Sequence, residues 1–123
     1  MQERRTQMDK GLGNYGESLA EIYFINKGHC VLERNYSCRF GEIDIITRYN
    51  GIIHFNEVKT VYHTNFHPLE QVTAKKIGRL IRAMHYYIKS QGLGDVDISL
   101  NALGIIISDA KPPSYFYEEN ITL

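Results

Sequence analysis

Apolar positions along the chain switch between helical and strand periods. From about Asp9 to Lys27, Leu19, Ala20, Ile22, Tyr23 and Ile25 recur at helical spacing and Gly28 supplies a stop, so this stretch predicts an amphipathic helix. Val31 to Ser37 reads as a short strand. Two β-rich runs follow, Gly41-Glu42-Ile43-Asp44-Ile45-Ile46 and Ile52-Ile53-His54-Phe55-Asn56-Glu57-Val58-Lys59, with Asn50-Gly51 between them. Asn-Gly between such runs predicts a hairpin, here over Glu42–Val61, because both central residues of a type I′ turn need positive φ. Pro68 suits the first turn of a second helix. Val72, Ile77, Leu80, Ile81, Met84 and Ile88 give that helix a wide apolar face ending near Gly92. Gly78 in its interior costs about 1 kcal/mol relative to Ala and marks close packing or a weak point. Val96, Ile98 and Leu100 alternate with polar residues, and Ile105-Ile106-Ile107 reads as buried strand. Pro112-Pro113 interrupt the chain before a last edge strand at about Tyr115–Tyr117. The order α-β-β-β-α-β-β predicts an α/β fold with one mixed sheet and flanking helices.

Composition narrows this to one domain. The 123 residues are 43% hydrophobic and 23% charged, which supports a real core and argues against disorder. The expected core runs over about residues 9–108, with residues 1–8 flexible. Lys plus Arg and Asp plus Glu number 14 each, so any nucleic-acid surface must be a local patch. The charged start Met1-Gln2-Glu3-Arg4-Arg5 lacks the apolar stretch of a signal peptide. No apolar run approaches the roughly 20 residues of a membrane helix. Cys30 and Cys38 are too few for a disulfide scaffold. A cytoplasmic protein without a membrane partner is expected.

The hairpin carries the candidate chemistry. With Asn50 and Gly51 as its loop, Tyr49 faces Ile52, Asp44 faces Glu57 and Glu42 faces Lys59. Side chains alternate along a strand, so Glu57 and Lys59 project from one face. Directly opposed carboxylates are destabilising, and a cation between them relieves this. Two hard oxygen ligands with open positions suit Mg²⁺ or Mn²⁺, and a nearby ammonium suits phosphate chemistry. A surface lattice of ordinary ion pairs, with Glu42 on Lys59, is the alternative these residues leave open.

Other polar groups add less. The histidines show no zinc spacing, and Pro68 stands against one helix carrying both His63 and His67. Lys75, Arg79 and Arg82 lie at i, i+4 and i+7, a basic stripe able to follow a phosphate backbone, although a solvated face is its commoner use. Lys76 lies about 100° round the helix from Lys75, toward the side of the hairpin carboxylates. Among the 9 tyrosines, Tyr86-Tyr87 and Tyr115/Tyr117 suit base stacking or, more commonly, packing.

Four short elements carry a resemblance: Gly16-Glu17 entering the first helix, Arg34-Asn35-Tyr36, Gly41-Glu42-Ile43-Asp44, and Glu57-Val58-Lys59-Thr60, where Glu57 follows Asp44 by 13 residues. With weaker support from Val72, Lys76 and Arg79-Leu80, the chain from about Gly13 to Tyr87 resembles the YraN-like family of small bacterial proteins. That family falls within the PD-(D/E)xK, restriction-endonuclease-like nuclease superfamily and is related to archaeal Holliday junction resolvases. The resemblance implies a metal-dependent endonuclease acting on DNA, branched or junction DNA included, or a non-catalytic nucleic-acid-binding or protein-interaction module on the same fold. It implies that Asp44, Glu57 and the Val58 carbonyl hold Mg²⁺ or Mn²⁺, with Lys59 and Glu17 completing the catalytic set. It implies nucleic-acid contacts from Lys75, Lys76, Arg79, Arg82, Arg34 and Arg39, and a homodimer by analogy with the resolvases. Ser37 and Val61 depart from the pattern, since many relatives carry Arg at both; each departure removes positive charge near the phosphate path.

Overall fold

The structure, a computed structural model, describes residues 7–62 and 67–121. His63 and residues 1–6 of the segment expected to be flexible lie outside the described residues. The elements follow the predicted order. Helix α1 (Gln7–Asn26) leads into strands β1 (Cys30–Cys38), β2 (Gly41–Tyr49) and β3 (Ile52–Tyr62). A 3-10 turn (Pro68–Gln71), helix α2 (Ala74–Ser90) and strands β4 (Asp97–Ile107) and β5 (Ser114–Glu118) complete the chain.

The strands form one five-stranded sheet in the order β1-β2-β3-β4-β5. Three neighbouring pairs are antiparallel. β3 and β4 run parallel over eleven pairs, from Ile52↔Asp97 to Tyr62↔Ile107. A parallel pair needs a crossover, and the 3-10 turn with α2 provides it. Asn50 and Gly51 have φ of 52° and 74°, the backbone that the Asn-Gly turn requires. The β2–β3 ladder accordingly starts at Tyr49↔Ile52 and continues in register to Ile45↔Asn56.

Each face of the sheet buries one helix. Leu80, Ala83, Met84 and Tyr87 of α2 pack on Ile43, Ile46, Ile53, Phe55 and Leu100. Ala20 and Phe24 of α1 pack on Ile45, Leu103, Ile105 and Ile107. Ile43 and Ile45 are two apart yet join opposite layers, so strict alternation fails around Asp44.

One expectation is corrected and another is narrowed. The helix expected to start at Pro68 is broken: Val72 is extended (φ −87°, ψ 93°), and α2 starts after Thr73, whose hydroxyl accepts from the Lys76 N–H at 3.3 Å. That Oγ takes a donor the first helical turn leaves orphaned. Pro68, buried over Gly104 of β4, belongs to the separate 3-10 turn. Of the two readings of Gly78, its exposed position with open space around it removes close packing and leaves the weak point.

Candidate active site

A cleft of about 840 Å³ opens where β2 and β3 part, between the middle of α1 and the first turns of α2. Glu17, Glu42, Asp44, Glu57, Lys59 and Lys76 are among the residues lining it. Its shape starts from a glycine. A Cβ on Gly16 would fall 1.8 Å from the Thr60 hydroxyl oxygen, so only glycine lets α1 lie this close to β3. That approach carries Glu17 to the cleft wall.

The end of the β2–β3 ladder produces the central group. A residue in an antiparallel ladder aims its N–H and C=O at the same neighbouring strand. The β2–β3 register ends at Ile45↔Asn56, and two residues further on the Val58 N–H bonds the Asp44 Oδ2 at 2.7 Å. The Asp44 carboxylate thus takes the place of a backbone acceptor, and the Val58 carbonyl faces the same gap. Burial first, then the charge of Glu57, hold the Asp44 carboxyl well above the usual carboxylate range; the Val58 N–H pulls the other way. Two acids in contact cannot both ionise freely without a cation.

One such cation is Lys76. Its Nζ lies 2.9 Å from Glu57 Oε1, with the Glu57 side chain only 7% exposed. Glu17 stands further back. Its carboxylate faces the Asn35 side chain, whose amide nitrogen, oriented to donate, reaches the two Glu17 oxygens at 3.1 and 3.2 Å. Arg34 reaches Glu17 at 3.9 Å and Glu21 at 3.5 Å. Asn35 has φ 52° in the middle of β1, a conformation that Asn tolerates better than most residues and that turns its amide toward α1.

The predicted residues therefore divide. Glu17, Asp44, Glu57, Val58, Lys59, Lys75, Lys76 and Arg79 share the cleft, whereas Arg82 is exposed outside its lining. Arg34 faces the α1 acids, and Arg39 lies over the Phe40 ring at 4.8 Å, at the tip of the β1–β2 hairpin. Tyr87 is buried against Tyr36 and Phe55, and Tyr115 stacks on Tyr23; of these tyrosines Tyr86 is the most exposed. The sequence named Asn35 within the Arg34-Asn35-Tyr36 element and Lys76 on the side of the hairpin carboxylates, but it predicted neither the Asn35–Glu17 contact nor the Lys76–Glu57 pair. The Arg34-Asn35-Tyr36 element was the signal for the first, and the helical angle of Lys76 for the second.

Among the described residues, no three of His, Cys, Asp and Glu converge on one point as a metal cluster. The donors in the gap are two carboxylates in contact and one backbone carbonyl, all hard oxygens, already compensated in part by an ammonium. This set suits a hard divalent cation that keeps several waters, not a closed zinc site. No helix among the described residues is long and apolar enough to cross a membrane.

Known proteins match this chain at the level of sequence. It is 40% identical over 101 residues to a UPF0102 protein of Clostridium novyi, covering 81% of this chain and 84% of the relative. A UPF0102 protein of Syntrophomonas wolfei is 41% identical over 105 residues, 85% of this chain and 91% of the relative. One from a Sulfurovum species is 39% identical over 118 residues, 95% and 98% of the two chains. The model of the uncharacterised protein family UPF0102 matches residues 16–106, a span holding Glu17, Asp44, Glu57, Lys59 and the whole of α2. The chain belongs to the uncharacterised protein family UPF0102.

Proposed function

We propose that this protein is a metal-dependent endonuclease that hydrolyses phosphodiester bonds in DNA, branched or junction DNA being the first substrates to test. The observation that carries the reading is the contact of Asp44 with Glu57 in an open, lysine-lined cleft. A binding surface has no use for two acids whose repulsion weakens the fold; a metal-dependent hydrolase does.

Mg²⁺ or Mn²⁺ held by Asp44, Glu57 and the Val58 carbonyl would supply Lewis acidity and a more acidic bound water. The chain's own residues do the rest. The Val58 N–H fixes the rotamer of Asp44. Lys59, two positions along β3 from Glu57, orients the attacking water or stabilises charge building on phosphorus. Glu17, steered by Asn35 and Arg34, would complete the site from the α1 side, accepting a proton or a hydrogen bond from water there. Lys75 and Arg79 on the cleft wall hold the phosphate backbone.

Wild type and Asp44→Asn, incubated with branched DNA, linear DNA and RNA in Mn²⁺ or Mg²⁺, test the reading. Cleavage by wild type and its loss in Asp44→Asn is the expected result. Salt-dependent DNA binding without cleavage of any substrate would instead favour the non-catalytic module.

A further inference from the structure

The Glu57–Lys76 pair links the buried end of the cleft to the first turn of α2. We propose that Lys76 is an exchangeable counter-ion of the carboxylate site: a divalent cation entering between Asp44 and Glu57 displaces its ammonium, which then takes a substrate phosphate. Metal and nucleic acid consequently bind with positive coupling. This inference rests on the metal-dependent reading of the cleft.

The pair is asymmetric in its surroundings. The Glu57 side chain is 7% exposed and fixed, whereas the Lys76 side chain is 39% exposed. The ammonium can therefore leave on its flexible four-carbon stem without disturbing the core. Its position is also costly to the helix. Lys75 and Lys76 occupy the first turn of α2, which holds no acidic residue, and positive charge is unfavourable at that end of a helix. Lys76 is placed for something outside α2, and Glu57 is what it meets. Finally, the ammonium neutralises Glu57 alone, whereas a divalent ion can neutralise Glu57 and an ionised Asp44 together. The displaced ammonium enters a wall that already carries Lys75 and Arg79. Linkage requires that if metal frees a phosphate contact, the phosphate tightens metal by the same factor.

Anisotropy of labelled branched DNA over a range of salt, in EDTA or in Ca²⁺ to limit cleavage, reads the exchange. Lys76→Met keeps the stem and removes the charge. In EDTA wild type and Lys76→Met should give the same slope of log affinity against log salt. In Ca²⁺ the slope of Lys76→Met should be shallower by about 0.9, one phosphate contact on duplex DNA. Equal slopes in Ca²⁺, or the same difference in both conditions, would overturn the exchange. Acylation of wild type, read by mass spectrometry, needs no variant: Lys76 should be protected relative to Lys75 in EDTA and lose that protection in Ca²⁺. Protection unchanged by Ca²⁺ also overturns it. Calorimetry separates the two levels. If wild type binds no Ca²⁺, the metal-dependent reading and the exchange fall together; if it binds Ca²⁺ while Lys76 stays protected, the exchange alone falls.

Discussion

Two polar clusters sit on the same sheet and are built on opposite principles. On the α1 face, Asn56 and Asn101 are fully buried. The Asn56 amide donates to the Ile45 carbonyl at 3.2 Å, and Asn101 donates to Asn56 Oδ1 at 3.1 Å and Tyr117 Oη at 2.7 Å. Tyr117 closes the ring on Asn56 Oδ1 at 2.9 Å, and Ser99 donates to Asn101 Oδ1 at 2.6 Å. Among the described residues only His54 Nε2 is a buried side-chain polar atom without a partner. All the groups that share these bonds are neutral. At the next position along β3, the cleft brings Glu57, paired with Lys76, against Asp44, whose carboxyl is held above its ordinary range by burial and by Glu57. A fold that satisfies its amides this fully does not keep an unbalanced carboxylate pair for stability. The network holds β3, β4 and β5 together.

The sharpest way to break this contrast is to remove one charge and compare stability with activity. Lys59→Ala should lower DNA cleavage about 10²- to 10³-fold while metal affinity persists, as the loss of one preorganised electrostatic group typically does. Its melting temperature should move little. Steady-state cleavage beside calorimetric Mn²⁺ titration checks this, and cleavage that survives intact would remove Lys59 from the mechanism.

The network should show the reverse pattern. Asn101→Leu leaves the buried His54 Nδ1 and the part-buried Asn120 N–H without the Asn101 partners they hold at 2.9 and 3.1 Å, and each buried orphan costs about 1–3 kcal/mol. A loss of about 2–3 kcal/mol in urea unfolding is expected, with specific activity of the folded fraction retained. Near-neutral stability would mean that water enters freely and the network is no clasp.

The two regions should also carry opposite pH signatures. The Asp44 carboxyl is raised by burial and then by Glu57. The metal-free fold therefore has its full contribution below the ordinary carboxylate pKa of about 4 and loses it as pH rises through the raised value. His29, whose ring Nδ1 lies 2.7 Å from Thr47 Oγ1, is pushed down to about 4 by burial and then by His54. Its contribution is present above the ordinary histidine value of about 6.5 and is lost as pH falls toward 4. Melting in EDTA across this range should show Asp44→Asn flattening the loss on the alkaline side alone, and His29→Gln flattening the loss on the acid side alone. If the pair holds a metal as proposed, saturating metal should also remove the alkaline loss, because the ion would bind the deprotonated pair. A wild-type profile unchanged by Asp44→Asn would mean that the acid is ionised in the metal-free fold.

Much of the cleft was legible because its parts lie on one hairpin. Asn50-Gly51 fixes the turn and the turn fixes the register as far as Ile45↔Asn56; the expected direct pairing of Asp44 with Glu57 lies beyond the end of that ladder, where Asp44 accepts from the Val58 N–H and still meets Glu57. The residues that were harder to place depend on packing between distant elements. Lys76 meets Glu57 only because α2 starts after Thr73, and the extended Val72 that resets this start has no local breaker to announce it. Asn35 turns toward Glu17 through a positive φ inside a strand, which strand periodicity does not express. The network left one faint signal: Asn is depleted in strands, yet Asn56 and Asn101 interrupt apolar runs. The register pairs them side by side on β3 and β4.

The smallest expected effects separate the arginines. Arg34 was a candidate for nucleic acid, but it reaches Glu17 at 3.9 Å and Glu21 at 3.5 Å with about a third of its side chain exposed. Such exposed pairs contribute about 0.2–1 kcal/mol, so Arg34→Gln should barely shift the melting temperature. Because its charge is directed at the α1 acids, the substitution should also leave the salt slope of DNA affinity unchanged. Arg79 lines the cleft and Arg82 does not. Arg79→Gln should therefore flatten the slope by about 0.9, one phosphate on duplex DNA, and Arg82→Gln by less. Anisotropy at four or more salt concentrations resolves a change of that size. Equal flattening by all three would mean that DNA spreads across the outer face of β1 and α2 and does not track the cleft. The contrast between a charged working cleft and a neutral clasp would survive that result, but the cleft would lose its claim to be the groove that positions the substrate.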